Sequence, residues 1–485
     1  MADVYRNYVA GQWGDCKAKK TFADVNPANT NETVGMFQAS SPDDIQEACD
    51  AATKAHPAWA ALPAPLRGEF LYKAAEIMES RLQKLSEEMT REEGKTLPEA
   101  KGEVKRAINI LRYFGGEGAR QFCYQIPSER ENVFCYTLRK PLGVVALITP
   151  WNFPSAIPAW KMAPALVAGN TVVIKPASLA PLSACRIVEA LHETGLPAGV
   201  LNFVTGSGGS VGNALVEHPS IRAVSFTGSC DVGNALYDKA TKRKVRLQLE
   251  MGGKNPTIVL KDADPDYAAA VLVNGAFFST GQKCTACSRA IIEKPIYEAL
   301  VEKLVARTTK LKVGNGLDPG IEMGPAVDAN QLETDLKYIE IAKQEGARLL
   351  CGGNRLTGGI YDLGYFVEPT IFTGVTADMR VAQEEVFGPV LALMVANDFE
   401  EALRLANGVR FGLSASIVSR DITRVHQFIN RTESGLITVN LPTAGVEYQL
   451  PFGGSKESSF GMREQGPAAL DFYTETRTVY LKYTQ

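Results

Sequence analysis

Residues 281–289 read GQKCTACSR, with cysteines at 284 and 287, a lysine before the first and an arginine after the second. Such a pair can ligate a metal, cycle between dithiol and disulfide, or supply one thiolate to attack an electrophilic carbon. Zinc needs further ligands, and the four histidines, His56, His192, His218 and His426, stand singly with no second CxxC. No metal site is expected. Thioredoxin-like exchange places its CxxC near the start of a small βαβ domain, whereas here the pair lies deep in a chain of 485 residues. Nucleophilic attack is the favoured reading, and it requires a scaffold that brings a base and an oxyanion donor to the thiol.

A chain of this length exceeds one ordinary core, so two or three domains are expected. With 45% hydrophobic and 22% charged residues it reads as a soluble globular protein. Basic and acidic residues nearly balance, 51 against 54, and the short cluster KRKVR at 242–246 reads as a solvated turn, which argues against a nucleic-acid partner. The first residues lack the pattern of a signal peptide, and no apolar run reaches the roughly 18 residues of a membrane span. Nine scattered cysteines, an odd number, do not suggest a disulfide framework. A cytoplasmic protein without a membrane partner is expected.

The early chain reads helical after a short β-rich start. Ser41 is placed as a cap with Pro42 in the first turn and acidic residues after it. From Pro65 to about Arg91, Leu66, Phe70, Ala74, Ile77, Leu82 and Leu85 recur near helical spacing and are expected to face a core. From about residue 141, GVVALITP, TVVIKP, VLNFVTG and AVSFTGS alternate with helical stretches, and TIVL, RAIIEK, ASIVS and GLITVN form a second such series. Strand and helix at this spacing predict an α/β fold, two parallel sheets each covered by helices. GSGGSVG (206–212) and GSCDVG (228–233) each follow a strand and open a helix, where backbone N–H groups at Gly208, Gly212 and Gly228 can cradle a pyrophosphate. Neither is GxGxxG, so each taken alone is equally a structural turn.

Seven further stretches carry a resemblance. TPWNFP (149–154), IKPAS (174–178), FTGS (226–229), LEMGGKNP (249–256), GQKCTACSR, EEVFGPV (384–390) and PFGGSK (451–456) occur in the order and spacing of the aldehyde dehydrogenase superfamily, over nearly the whole chain. The resemblance implies NAD(P)-dependent oxidation of an aldehyde to a carboxylic acid through a cysteine thioester. It also implies a Rossmann-like NAD(P)-binding domain (1–121 and 141–252), a catalytic domain (253–451) and a return segment (452–466). A β-ribbon oligomerisation element (122–140, with the arm 467–485) completes the expected fold. A homodimer or homotetramer is expected, with the arm and ribbon joining into a sheet shared across a subunit boundary.

By the same resemblance Cys284 is the nucleophile, Asn152 and the Cys284 N–H hold the oxyanion, and Glu250 is the general base. The chemistry agrees: a thiolate makes the aldehyde carbon tetrahedral, a hydride can then leave, and hydrolysis of the thioester needs a carboxylate to activate water. The rival readings are a buried apolar cysteine, a turn asparagine and a surface glutamate. Lys175 resembles the lysine that bonds the adenosine ribose; Glu385 and Phe387 resemble the residues that hold the nicotinamide ribose and ring. Thr149, Pro150, Trp151, Phe226, Thr227, Gly228 and Ser229 are expected along the cofactor cleft. Ser178 stands where NAD-preferring relatives often carry a glutamate that repels a 2′-phosphate, so NADP is expected to be accepted, alone or beside NAD; the rival is a helix-capping serine. Cys287 reads as packing, with a protective disulfide to oxidised Cys284 as the weaker alternative.

For the substrate, Phe153, Trp160, Phe278 and Phe452 align with tunnel walls, and Lys283 is a candidate cation for a substrate carboxylate. TGQKCTACSR, VNLPTAGVEYQLPFGG and SSFGMREQG resemble the branch of α-ketoglutaric semialdehyde (2,5-dioxopentanoate) dehydrogenases, although Phe460 and Met462 depart from its Tyr and Pro. Succinate semialdehyde, aromatic and aliphatic aldehydes remain alternatives. A CoA-acylating enzyme or a non-catalytic binding protein on the same fold are rival classes, and the presence of Glu250, Cys284 and Asn152 argues against both.

Overall fold

The computed structural model describes residues 2–484. Five apolar runs become parallel strands at Val144–Ile148, Thr171–Lys175, Leu201–Phe203, Ile221–Thr227 and Arg246–Glu250. Across the sheet they run third, second, first, fourth, fifth in chain order. The order therefore reverses between Val144–Ile148 and Ile221–Thr227, and a crevice opens beyond the carboxyl ends of the strands at such a switch point. Gln12–Gly14 and Asn7–Val9 extend one edge of this eight-stranded sheet, and Ser459–Phe460 closes the other.

A seven-stranded sheet holds Asn255–Val259, Cys287–Glu293, Thr370–Thr373, Val390–Ala396, Ser414–Val418 and Leu436–Val439 in parallel, with Arg348–Cys351 antiparallel at one edge. The five inner strands are rich in β-branched and aliphatic residues and lie buried between helices, as parallel sheets require, while the edge strands Arg348–Cys351 and Leu436–Val439 are only partly buried. No helix among the described residues is long and apolar enough to cross a membrane.

The helix Pro42–Ala61 starts where expected, with Asp44 accepting from both the Ser41 N–H and its hydroxyl. The stripe after Pro65 differs from expectation. It is two helices, Ala64–Ser80 and Leu82–Glu93, broken at Arg81, and Leu66 is exposed. Leu71 and Met78 take the buried positions, so the inward face is rotated from the one read off the sequence.

The ribbon and the arm come together. Thr474–Lys482 pairs antiparallel along all of Val133–Pro141 in its own chain, and Gln125–Pro127 adds a third strand. The arm and the ribbon thus join into one sheet within the chain, over nine residue pairs.

A helix that the sequence reading passed over does much of the positioning. Leu97–Glu117 opens with a capping box in which Glu99 Oε2 accepts from the Thr96 N–H (3.0 Å) and hydroxyl (2.8 Å). Its Ala100, Val104, Ala107, Ile108, Leu111 and Phe114 are buried. The residues beside that stripe turn toward the site.

Candidate active site

The strand register lines up the ends that matter. Ile148 lies beside Lys175 and Phe226, and Thr227 beside Glu250, so Thr149, Lys175, Thr227 and Glu250 cluster at the crevice. Chain leaving Ile148 becomes PWNFP, and chain leaving Thr227 becomes the Gly228–Ser229 turn that caps Cys230–Lys242 through the Ser229 hydroxyl.

Cys284 is half-buried and borders two cavities. On one side Pro150, Trp151, Asn152, Thr227, Gly228 and Ser229 face Glu385 and Phe387 across a cavity of about 210 Å³, which Met251, Gly252 and Gln331 complete. On the other, Phe153, Trp160, Phe278, Lys283 and Phe452 line a cavity of about 340 Å³. Nine of the expected cofactor and catalytic positions thus meet at the first and all five expected substrate positions at the second.

The loop before the thiol is strained. Ser279 and Thr280 have left-handed φ of 53° and 56°, a conformation L residues seldom adopt. It is held from outside: Glu99 Oε1 accepts from the Ser279 N–H at 2.7 Å, and the Thr280 hydroxyl donates to the Gly324 carbonyl at 3.1 Å. Gly281 is required next, because a Cβ there would collide with the Gly388 carbonyl. The thiol's loop therefore packs backbone to backbone against the loop carrying Glu385 and Phe387. After the thiol, the Asn255 amide donates to the carbonyls of Cys284 and Ala286, both at 2.8 Å.

Asn152 is buried and its amide donates to the Gln282 carbonyl at 3.1 Å, which brings an N–H donor beside the thiol's loop. Its own carbonyl accepts from Lys95 Nζ (2.8 Å), and Lys95 pairs with Glu103 at 2.5 Å. Glu103 also accepts from the N–H groups of Ser155 and Ala156 at the start of Ala156–Val167, where the helix dipole favours an anion.

Glu250 is buried, and Ser459 donates to its Oε2 at 2.5 Å. Burial and then the neighbouring Glu464 push its carboxyl well above the usual range, against the pull of Ser459, Lys161 and Arg463. Burial first, and the carboxylates of Glu250 and Glu385 next, push the Cys284 thiol up to about 12. Burial and repulsion from neighbouring carboxylates thus keep both the thiol and the nearby carboxyl from ionising readily.

A nicotinamide nucleotide fits the first cavity. Glu385 accepts from the Gly253 N–H at 2.8 Å through one oxygen, and its other oxygen has no protein donor among the described residues. Gly252 is bare where any Cβ would strike that carboxylate. The Thr149 and Thr227 hydroxyls are buried without protein partners. Phe387 presents its ring from a left-handed residue (φ 63°), edge to face with Trp151 at 5.4 Å.

Lys175, Ser178 and the 206–212 turn gather further along the crevice: Ser178 donates to the Gly206 carbonyl at 3.0 Å, and Gly212 abuts Lys175. Phe226 lies elsewhere than expected. It is core, filling the space under Gly228, and does not border the cavity. Gly208 is exposed and also lies outside the cavity lining. Cys287 is buried in the core with its thiol toward the Arg289 carbonyl, consistent with packing. Lys283 is buried, not solvated; its ammonium donates to the Asn274 carbonyl at 3.2 Å, and burial lowers it to about 8.

The sequence reading missed Lys95, Glu99, Glu103 and Arg106, all on or beside Leu97–Glu117. Their signal was a capping box followed by charges interrupting an apolar stripe.

Residues 13–479 match the aldehyde dehydrogenase family, and this chain belongs to it, as an NAD(P)-dependent aldehyde dehydrogenase. Among its relatives, an α-ketoglutaric semialdehyde dehydrogenase of Bacillus subtilis (strain 168) is 51% identical over 480 residues, covering 99% of this chain and 98% of that one. An α-ketoglutarate semialdehyde dehydrogenase of Haloferax volcanii is 49% identical over 484 residues, covering both chains completely. Betaine aldehyde dehydrogenase of Staphylococcus aureus in complex with NAD+ superposes with a TM-score of 0.96 at 33% identity, covering 99% of this chain and 94% of that one. A 3,6-anhydro-L-galactose dehydrogenase in complex with NADP gives 0.95 at 35% identity, covering 99% and 100%.

Proposed function

We propose that this enzyme oxidises α-ketoglutaric semialdehyde to 2-oxoglutarate, using NADP or NAD. The observation that carries the reading is Cys284 at the boundary of two cavities, one suited to a nicotinamide nucleotide and the other walled by aromatic rings, buried Lys283 and half-buried Arg106. The named activities of the relatives at 51% and 49% identity support the choice of aldehyde.

In this reading the Cys284 thiol loses its proton to solvent water in the open cavity, and the thiolate attacks the aldehyde carbon. The resulting oxyanion accepts from the Asn152 amide and the Cys284 N–H. The bound nucleotide supplies the hydride acceptor, held by Glu385 and Phe387 with Thr149, Pro150, Trp151, Thr227, Gly228 and Ser229 along the cleft, and Lys175, Ser178 and the 206–212 turn at its far end. Glu250 then takes a proton from water as the water adds to the thioester, and the carboxylic acid leaves as the thiol is restored.

Burial raises the Glu250 carboxyl above the usual range, and a raised carboxylate is the stronger base once ionised. Neutral Ser178 offers no repulsion to a 2′-phosphate, and Lys175 beside it adds a positive charge. We further propose a cytoplasmic homo-oligomer with the ribbon at its interface. The nine free cysteines support a reducing compartment, and exposed Ile126 and Tyr480 on the small sheet, with exposed Phe122 and Tyr124 just before it, support the interface.

Initial rates with α-ketoglutaric semialdehyde, succinate semialdehyde, benzaldehyde, hexanal and acetaldehyde test the substrate. A kcat/KM for the keto-acid semialdehyde at least about tenfold above the others, roughly 1.4 kcal/mol, is expected. A preference for benzaldehyde or hexanal overturns the substrate and leaves the role of Cys284 standing.

A further inference from the structure

The larger cavity holds a cation whose donors the protein leaves unused. Arg106, on Leu97–Glu117, borders the same cavity as Cys284 and lies within electrostatic range of the thiol. Its one hydrogen bond among the described residues runs from Nη2 to Gln465 Oε1, at 3.1 Å. The buried Nε–H has no partner, and no carboxylate forms an ion pair with the guanidinium. Its plane is held over Trp160, with Cζ 5.5 Å from the ring centroid.

The anions around it are otherwise engaged. Glu103 is occupied by Lys95 and two backbone N–H groups, and Glu99 by Thr96 and Ser279. Glu447, on the loop across the cavity, is exposed and accepts from Gln449. Arg106 is half-buried, and leaving such a guanidinium with a buried Nε–H and no anion is costly; its planar fork matches a carboxylate better than any other side chain does.

Gln465 gives a second, independent sign. It is fully buried and adopts a left-handed φ of 58°, an unfavourable conformation for a non-glycine residue, and its amide oxygen aims the guanidinium. A residue held in this way serves to orient its partner.

We propose that Arg106 is the specificity-determining residue of the substrate cavity, binding through its free donors the carboxylate at the far end of the substrate from the aldehyde. Lys283, on the wall beside the thiol, donates to a single carbonyl and keeps two N–H groups for the polar atoms between the two ends. The enzyme therefore selects short aldehydes that end in an anion. The assignment rests on the proposed function in taking this cavity as the aldehyde's site, and it does not depend on which acidic semialdehyde is the natural one.

The test is selectivity. For Arg106→Met and Arg106→Lys, kcat/KM is measured with α-ketoglutaric semialdehyde, succinate semialdehyde and pentanal, a neutral aldehyde of the same chain length. Arg106→Met is expected to lower the ratio of the better acidic substrate to pentanal about 100-fold, mainly through KM, with Arg106→Lys recovering part of it. Glutarate, tested as a competitor of pentanal, is expected to inhibit wild type and to lose affinity by a similar factor in Arg106→Met. Unchanged ratios and unchanged glutarate inhibition overturn the assignment, and so does a loss shared equally by pentanal. Should wild type prefer succinate semialdehyde, the proposed substrate fails while a collapsed ratio in Arg106→Met still upholds Arg106. If Arg106→Met does not fold, the ratio and glutarate inhibition in Arg106→Lys decide.

Discussion

Glu250 and Ser459 are cross-strand partners: the two-residue strand at 459–460 pairs antiparallel with the end of Arg246–Glu250, and the serine hydroxyl donates to the carboxylate at 2.5 Å. The hydroxyl is itself fixed, because it accepts from the Gly454 N–H at 2.6 Å. Ser459 thus orients the carboxylate and stabilises its ionised form. Replacing it with alanine removes a downward influence on a group already raised by burial, so the Glu250 carboxyl rises further. A general base acts when ionised, so the acid limb of the kcat–pH profile is expected to move to higher pH in Ser459→Ala. A kcat about tenfold lower near neutrality follows, and stopped-flow rates of cofactor reduction should change less than steady-state turnover. Profiles that superpose would remove Ser459 from any role in tuning Glu250.

Glu250→Gln separates the two halves of the reaction. The amide keeps the volume and cannot take a proton from water. Turnover is expected to fall by about 10²–10⁴-fold while a burst of reduced cofactor near one per subunit persists. Loss of the burst together with turnover would instead place Glu250 in activation of the thiol.

The parallel sheets were legible because buried strands announce themselves as short β-branched runs, and the positions around Cys284 were legible because ordered motifs place them. The contribution of Leu97–Glu117 was not. Glu99 looks like an ordinary capping-box residue, and only the fold shows its second oxygen holding Ser279, 180 residues on. Arg106 reads as a charge on a helix face until Trp160 and Gln465 close around it. Lys283 showed the converse: a lysine beside a nucleophile is usually solvated, and tertiary packing buried this one. Phe226 sits within a cofactor-like motif yet faces the core, because successive residues of a strand point to opposite sides.

The free enzyme's thiol is expected to be sluggish. With Cys284 held near 12, the thiolate fraction at pH 8 is about 10⁻⁴, so alkylation by iodoacetamide should rise about tenfold per pH unit through pH 10 without a plateau. A plateau below pH 9 would mean that the cofactor-free site already stabilises the thiolate. Cys284→Ser, with a far weaker nucleophile in the same geometry, should abolish alkylation at this position, read by peptide mass spectrometry while exposed Cys123 still reacts, and reduce turnover to background.

Cofactor choice is testable at one position. Ser178 is half-buried, uncharged and bonded to the Gly206 carbonyl, close to Lys175. Ser178→Glu introduces an acceptor for ribose hydroxyls and a charge that repels a 2′-phosphate. The ratio of kcat/KM with NADP to that with NAD is expected to fall at least about tenfold, chiefly through KM for NADP. An unchanged ratio would mean that Ser178 only secures the turn at Gly206.

Asp335 offers a prediction about stability, away from the chemistry. It is buried on Ala329–Gln344 against Gly388, one oxygen accepting from Gln331 Nε2 at 2.8 Å and the other without a partner. Burial pushes its carboxyl up to about 8. The unfolded chain ionises this group in the ordinary aspartate range, so between there and about pH 8 the folded state holds the extra proton. Stability contributed by this site therefore falls as pH rises across that window. Asp335→Asn keeps the shape and the bond from Gln331 and cannot ionise. Its Tm is expected to exceed that of wild type at pH 8, with the difference shrinking steadily toward pH 4.5. Because Gln331 also borders the cofactor cavity and donates to the Val386 carbonyl, KM for the nucleotide serves as the control that the Glu385–Phe387 loop is intact. A Tm difference independent of pH would show that Asp335 is ionised in the folded protein, with its charge compensated through the Gln331 amide.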